Sequence, residues 1–142
     1  MKLVHIAATI ALLSVSSVTF AQTKAKHAAA APAADGKAIY GRVCITCHMA
    51  DGMGVPNMNP PIVKTPYILG NKTKVINIVL NGFNESVEIE GNQYSNVMPS
   101  QDFLKDNEIA AVLTYVRSHF GNKASAITTT DVKKARAAKK KK

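Results

Sequence analysis

Tryptophan is absent from this chain of 142 residues, cysteine occurs twice, and tyrosine and phenylalanine occur four times each. So few large aromatics leave a small domain short of core material. A short chain buries a smaller share of its surface than a long one, and a disulfide, a metal or another added hydrophobic body commonly completes such a core. Beyond the first 21 residues there is also no apolar run approaching the roughly 18 residues that a membrane span requires, so the remainder reads as soluble. Charge of one sign is missing from the middle of the chain: residues 35 to 127 hold eight Lys/Arg against eight Asp/Glu, and the formal +9 comes from the two ends. A core without a basic face makes nucleic acid a poor partner.

The ends have distinct characters. Lys2, the apolar run "LVHIAATIALLSVSSVTF" and the small residues near Ala21 form a secretory signal over residues 1 to 21, with removal after Ala21 the favoured site. This implies export, and a periplasmic location for the processed chain. "QTKAKHAAAAPAA", residues 22 to 34, has no periodic large apolar residues and reads as a flexible leader. From 128 onward, "TTTDVKKARAAKKKK" carries seven cations against Asp131, and reads as a basic flexible tail. Cations concentrated in one segment suit electrostatic contact with an acidic partner or an anionic membrane.

The two cysteines lie together in "VCITCHMADGMG", residues 43 to 54. Two cysteines in an exported chain form a disulfide by default, but that leaves the adjoining His48 without a role. A thioredoxin-like dithiol needs a βαβ setting, and no strand of β-branched residues precedes the motif. A structural zinc site needs four ligands, and beyond Cys44, Cys47 and His48 the core offers only His119 as a further histidine. C-x-x-C followed directly by His has a more specific meaning: two thiols for thioethers to haem vinyl groups, and an imidazole for the iron. Three-residue spacing puts Cys44 and Cys47 on one helix face, with His48 one turn after Cys44.

An iron held by one histidine needs a sixth ligand or keeps an open site. The candidates are Met49, Met53, Met58, Met98, His27 and His119. The first three follow His48 too closely to cross easily to the other face of a planar ring. Met98 stands 50 residues downstream in "YSNVMPSQ", where Pro99 removes a backbone donor and keeps the loop from becoming helical. Met/His is the ligand pair of electron-transfer c-type haems. His119, near a helix C-terminus, suits the ordinary task of capping carbonyls.

Hydrophobic periodicity predicts three helices. The first begins at an Asp35 cap and runs through Ile39 and Val43 into the motif. A second starts after Asn71, lines up Val75, Ile76, Val79 and Leu80, and stops at Gly82. The last places Ile109, Val112, Leu113, Val116 and Phe120 on one face and ends at Gly121. Between them, "VEIEGNQY" alternates around Gly91-Asn92 as a hairpin does.

These residues resemble the small class I, single-haem c-type cytochromes of the bacterial periplasmic type. The resemblance spans about Asp35 to Asn122, through "DGKAIYGRVCITCHMADGMGVPNMNPP", "YSNVMPS" and "EIAAVLTYVRSHFGN". It implies an all-α cytochrome c fold over 35 to 127, with helices packed around a covalently bound haem c, one per chain, and a short hairpin before the methionine loop. It further implies that Gly36 and Tyr40 meet Val112 and Tyr115 where the terminal helices cross, and that Pro60 or Pro61 accepts the second His48 N–H. Tyr67 and Tyr94 become candidate donors to the haem propionates or the pocket. One departure is Lys105 where relatives commonly cap the last helix with Ser or Asp, a loss of about 1 kcal/mol that Asp106, Asn107 and Glu108 offset in part through the dipole.

The function this implies is one-electron transfer between a periplasmic dehydrogenase or quinol oxidoreductase and a terminal oxidase, without catalysis and without a small-molecule substrate. A fixed haem subunit of a dehydrogenase or oxidase complex is the alternative. A catalytic or gas-sensing haem requires that Met98 be off the iron.

Overall fold

A computed structural model describes the chain from Ala34 to Lys139. The expected signal, residues 1 to 21, and nearly all of the expected leader lie outside the described residues. The elements run α1 (Gly36–Ile39), a π-helical turn (Tyr40–Cys44), α2 (Ile45–His48), α3 (Pro66–Leu69), α4 (Lys72–Asn81), β1 (Val87–Ile89), β2 (Asn92–Tyr94), α5 (Asp106–Ser118) and α6 (Thr129–Lys139). About half of the described residues are helical and the only sheet among them is the β1–β2 pair, as the all-α expectation with its short hairpin requires.

Local chemistry explains the boundaries. The Asp35 carboxylate accepts from the Lys37 and Ala38 amides at 2.9 and 3.1 Å, satisfying donors that a helix start leaves free. Asn71 accepts from the Lys74 amide and caps α4, while Gly82, at φ +76°, ends it. A lysine side chain has no acceptor, so at α5 only half of a capping box forms: the Glu108 carboxylate takes the Lys105 amide at 2.8 Å. Thr65, itself buried, caps α3, a one-turn helix that periodicity is too short to reveal.

α1 lies across α5, and the crossing depends on Gly36. A Cβ there would stand 2.2 Å from the Ala111 carbonyl oxygen and 2.9 Å from Tyr115 Cβ, so only glycine lets the two backbones approach. Tyr40 packs its ring 5.7 Å from Tyr115 and 5.1 Å from Phe120. The apolar stripes of α4 (Val75, Ile76, Val79, Leu80) and α5 (Ile109, Val112, Leu113, Val116) are all buried. α5 stops at Ser118, short of the Gly121 boundary that periodicity suggests.

The hairpin pairs Val87 with Tyr94 and Ile89 with Asn92. Its turn falls on Glu90 and Gly91, at φ +52° and +79°, one residue earlier than Gly91-Asn92. Two positive φ angles match the twist of the strands, and the alternation of apolar residues, rather than the Gly-Asn dipeptide, sets the register.

The expected flexible tail is corrected by the structure. Residues 129 to 139 form α6, with Val132 and Ala135 buried against α4 and α5. Thr128 and Asp131 open it with reciprocal bonds, the Thr128 amide to the Asp131 carboxylate at 2.9 Å and the Asp131 amide to the Thr128 hydroxyl at 3.1 Å. Val132 and Ala135, three residues apart, give a helix of otherwise polar residues and alanine an apolar edge to bury.

Candidate functional site

Helices α2, α4 and α5 and the chain on either side of the hairpin enclose a cavity of about 210 Å³. Its walls are apolar, among them Val43, Ile68, Val75, Val79, Leu113 and Val116. Cys44 lines it from the end of the π-helical turn, Cys47 and His48 from α2, and Met98 from the loop after the hairpin.

The π-helical turn immediately precedes this edge. One extra residue per turn resets the helix face, so Cys44, half-buried, and Cys47, exposed, border the cavity from the last turn of the helix. The two thiols are not bridged to each other. Burial, and secondarily the neighbouring Cys47, push the Cys44 thiol up to about 11. An oxidoreductase dithiol needs the opposite, a depressed nucleophilic thiol. Among the described residues no three His, Cys, Asp or Glu side chains are arranged to hold a metal ion between them, which disfavours a structural zinc site.

His48 is held by the loop that follows it. The Gly54 amide donates to the His48 carbonyl at 3.2 Å, Ile62 donates to Gly52 at 2.8 Å, and Val55 bridges to Asn59. Gly54, at φ +69°, has no room for a Cβ, which would sit 2.2 Å from the Asn59 carbonyl oxygen. The folded loop brings the Pro60 carbonyl to 3.0 Å from His48 Nδ1, which selects Pro60 over Pro61. A carbonyl only accepts, so Nδ1 carries the proton and Nε2 keeps its lone pair. Burial lowers the imidazole pKa, partly offset by the Pro60 bond, and favours that neutral form.

Met98 is fixed through its backbone. Met98 and Phe83 exchange amide-to-carbonyl bonds at 2.8 and 2.9 Å, Gln101 donates to the Val79 carbonyl at 2.8 Å, and the Ser100 hydroxyl donates to the Leu80 carbonyl at 2.9 Å. Gly82 permits this docking, because a Cβ there would lie 2.5 Å from the Met98 carbonyl oxygen.

The other candidates are placed elsewhere. Met49, Met53 and Met58 are 40, 52 and 51 % exposed and do not line the cavity. His119 is exposed, stacks on Tyr115 at 4.0 Å, and sets its Nδ1 2.9 Å from the Tyr115 carbonyl. His27 lies outside the described residues. Tyr67 lines the cavity, edge-on to Phe83. Tyr94, at the end of β2, is buried and does not line it.

Sequence reasoning missed two supports. Asn122 is buried, accepts from the Lys64 amide at 2.7 Å and donates to the Ile62 and Val116 carbonyls, tying the loop after Pro61 to the end of α5. Buried Arg117 donates to the Ile68, Gly70 and Ser125 carbonyls, closing the C-terminal end of α3. A polar residue interrupting the α5 stripe was the available signal for Arg117; Asn122 offered none.

The donor set fits a flat, largely apolar group attached through sulfur. Two unbridged thiols, an imidazole with a free Nε2 and a thioether border one apolar cavity, and no polar side chain buried among the described residues lacks a hydrogen-bond partner.

Comparison with known proteins agrees with this geometry. The family model described as Cytochrome c matches residues 33 to 120. Cytochrome c-552 of Thermus thermophilus is 36 % identical over 75 % of this chain and 87 % of its own length. The cytochrome c subunit of alcohol dehydrogenase (quinone) of Gluconacetobacter polyoxogenes is 31 % identical over 78 % of this chain but only 23 % of the subunit. The fructose dehydrogenase cytochrome subunit of Gluconobacter japonicus is 29 % identical over 85 % of this chain and 26 % of the subunit.

Proposed function

This chain belongs to the cytochrome c family, electron carriers with covalently bound haem c and its iron, and on that premise we propose that it is a periplasmic one-electron shuttle with a His48/Met98-ligated haem. Cys44 and Cys47 form the thioethers in this reading. The observation that carries it is the convergence of those four side chains on one apolar cavity.

When bound, the haem supplies a one-electron iron couple. His48 keeps its proton on the Pro60 carbonyl and offers Nε2, and that second bond fixes the ring's orientation. The Met98 thioether, a soft donor, would favour ferrous iron and raise the potential. As a ligand to the bound iron, Met98 would leave no open position for oxygen or peroxide, which argues against catalysis. Backbone bonds on both ligand-bearing segments hold them in place, so little has to move when the charge changes. The apolar walls exclude water and lower the local dielectric.

Redox partners follow from the class: a periplasmic dehydrogenase or quinol oxidoreductase as donor and a terminal oxidase as acceptor. A second reading, a fixed haem subunit, is favoured by the likeness to dehydrogenase cytochrome subunits. Purification from the native host under high salt separates them, a free monomer supporting the shuttle and a persistent complex the subunit. For attachment, a denaturing gel stained for haem is expected to show the native chain and to lose the signal in Cys44→Ala/Cys47→Ala. Stain persisting in that variant contradicts thioether attachment at this motif.

A further inference from the structure

α6 begins after the stretch matched to the family model, and one of its side chains reaches the segment that follows Met98. Arg136 Nε donates to the Asp106 carboxylate at 2.7 Å, with the two side chains only 24 and 22 % exposed. Its Nη1 donates to the Asp102 carbonyl at 3.1 Å and its Nη2 to the Leu104 carbonyl at 2.8 Å. These acceptors stand four, six and eight residues after Met98. Upstream, the same loop is fastened to the end of α4 through Phe83, Val79 and Leu80. The segment from Met98 to Asp106 is thus tethered at both ends, and downstream one guanidinium joins buried Leu104 and the start of α5 in holding it.

Two tethers restrict a loop more than one. Releasing either enlarges the set of open conformations, which is an entropic gain for the open state. A neutral thioether remains on its acceptor only while the loop that carries it stays closed. Arginine suits this task because its rigid fork serves three acceptors at once, which a lysine ammonium on a flexible stem does less well. The other attachments of α6 lead to the helices: Val132 and Ala135 are buried where α6 meets α4 and α5, and Lys72 pairs with Asp131 at 3.9 Å.

We propose that Arg136 is a positioning residue for Met98, holding the ligand loop closed from α6. The inference rests on Met98 being the sixth ligand. Its test uses the full-length ferric holoprotein titrated with imidazole, which reaches the iron where the sixth position opens. Charge-assisted hydrogen bonds are among the stronger ones, and losing this set in Arg136→Ala is expected to lower half-saturation by roughly tenfold. Arg136→Lys falls between the two and carries the test if the alanine variant does not fold. Lys72→Ala, which loosens α6 away from the loop, titrates as the parent does. Amide exchange supplies a second measure: Gln101 and Leu104 exchange faster in Arg136→Ala while Ile76 in α4 does not. Unchanged titration and unchanged Gln101 exchange in both Arg136 variants overturn the proposal. If the parent ferric protein lacks a sulfur-to-iron absorption band, the Met98 reading and this inference fall together. A parent with the band and unaltered variants overturns the inference alone.

Discussion

Arg117 shows how much one side chain contributes without touching the cavity's chemistry. It is 2 % exposed, and burial lowers its pKa, yet three carbonyls accept from it. Hydrogen bonds from a charged group are worth more than neutral ones, and carbonyls left buried without donors add a further cost. Arg117→Met is therefore expected to destabilise the protein by about 3 kcal/mol, read from the midpoint of denaturant unfolding. A change under about 0.5 kcal/mol, the size usual for surface substitutions, contradicts that role. At this scale the cavity's own residues were legible, because Cys44, Cys47, His48 and Met98 announce themselves by type and spacing. Arg117 and Asn122 were not. Their work is to satisfy backbone carbonyls brought close by the fold, and nothing local in the sequence says which carbonyls those are.

At the scale of elements, packing reverses the usual propensity at Gly36. A helical Gly→Ala change ordinarily gains up to about 1 kcal/mol. Here the added Cβ meets the backbone of Ala111 at 2.2 Å, and backbone cannot rotate away. Gly36→Ala is thus expected to destabilise by about 3 kcal/mol through overpacking, and a stabilised variant in thermal unfolding contradicts the crossing. α6 makes a second element-level prediction. The Thr128 amide and hydroxyl, and then Lys72 and Lys134, hold the Asp131 carboxyl below its ordinary pKa. A depressed carboxylate contributes stability that is present above the unfolded value, near 4, and is lost as pH falls through the lower folded value. α6 amides should accordingly exchange faster on acidification through that window, and Asp131→Asn should remove the step. An identical acid response in Asp131→Asn contradicts the assignment. The α4 and α5 helices were legible because long apolar stripes with caps repeat every turn. α6 was misjudged because Val132 and Ala135 make a weak stripe among cations, although Thr128 and Asp131 already form the spacing of a capping box.

At the scale of the whole molecule, these elements leave an apolar cavity between α2, α4, α5 and the methionine loop. That is what a chain without tryptophan requires if a cofactor is to complete its core. The sequence already pointed to this division of labour through its neutral centre and its single C-x-x-C-H. What it withheld is how the pieces are braced: the loop that delivers the Pro60 carbonyl, the Phe83–Met98 bridge and the Arg136 tether are all contacts between distant residues, visible only when folded. The central claim is that Met98 closes the sixth position and makes the chain a carrier and not a catalyst. The ferric optical spectrum of the purified holoprotein tests it most directly. A weak far-red sulfur-to-iron band that disappears in Met98→Ala is the predicted result, and a band absent from the native protein, or present unchanged in that variant, contradicts it.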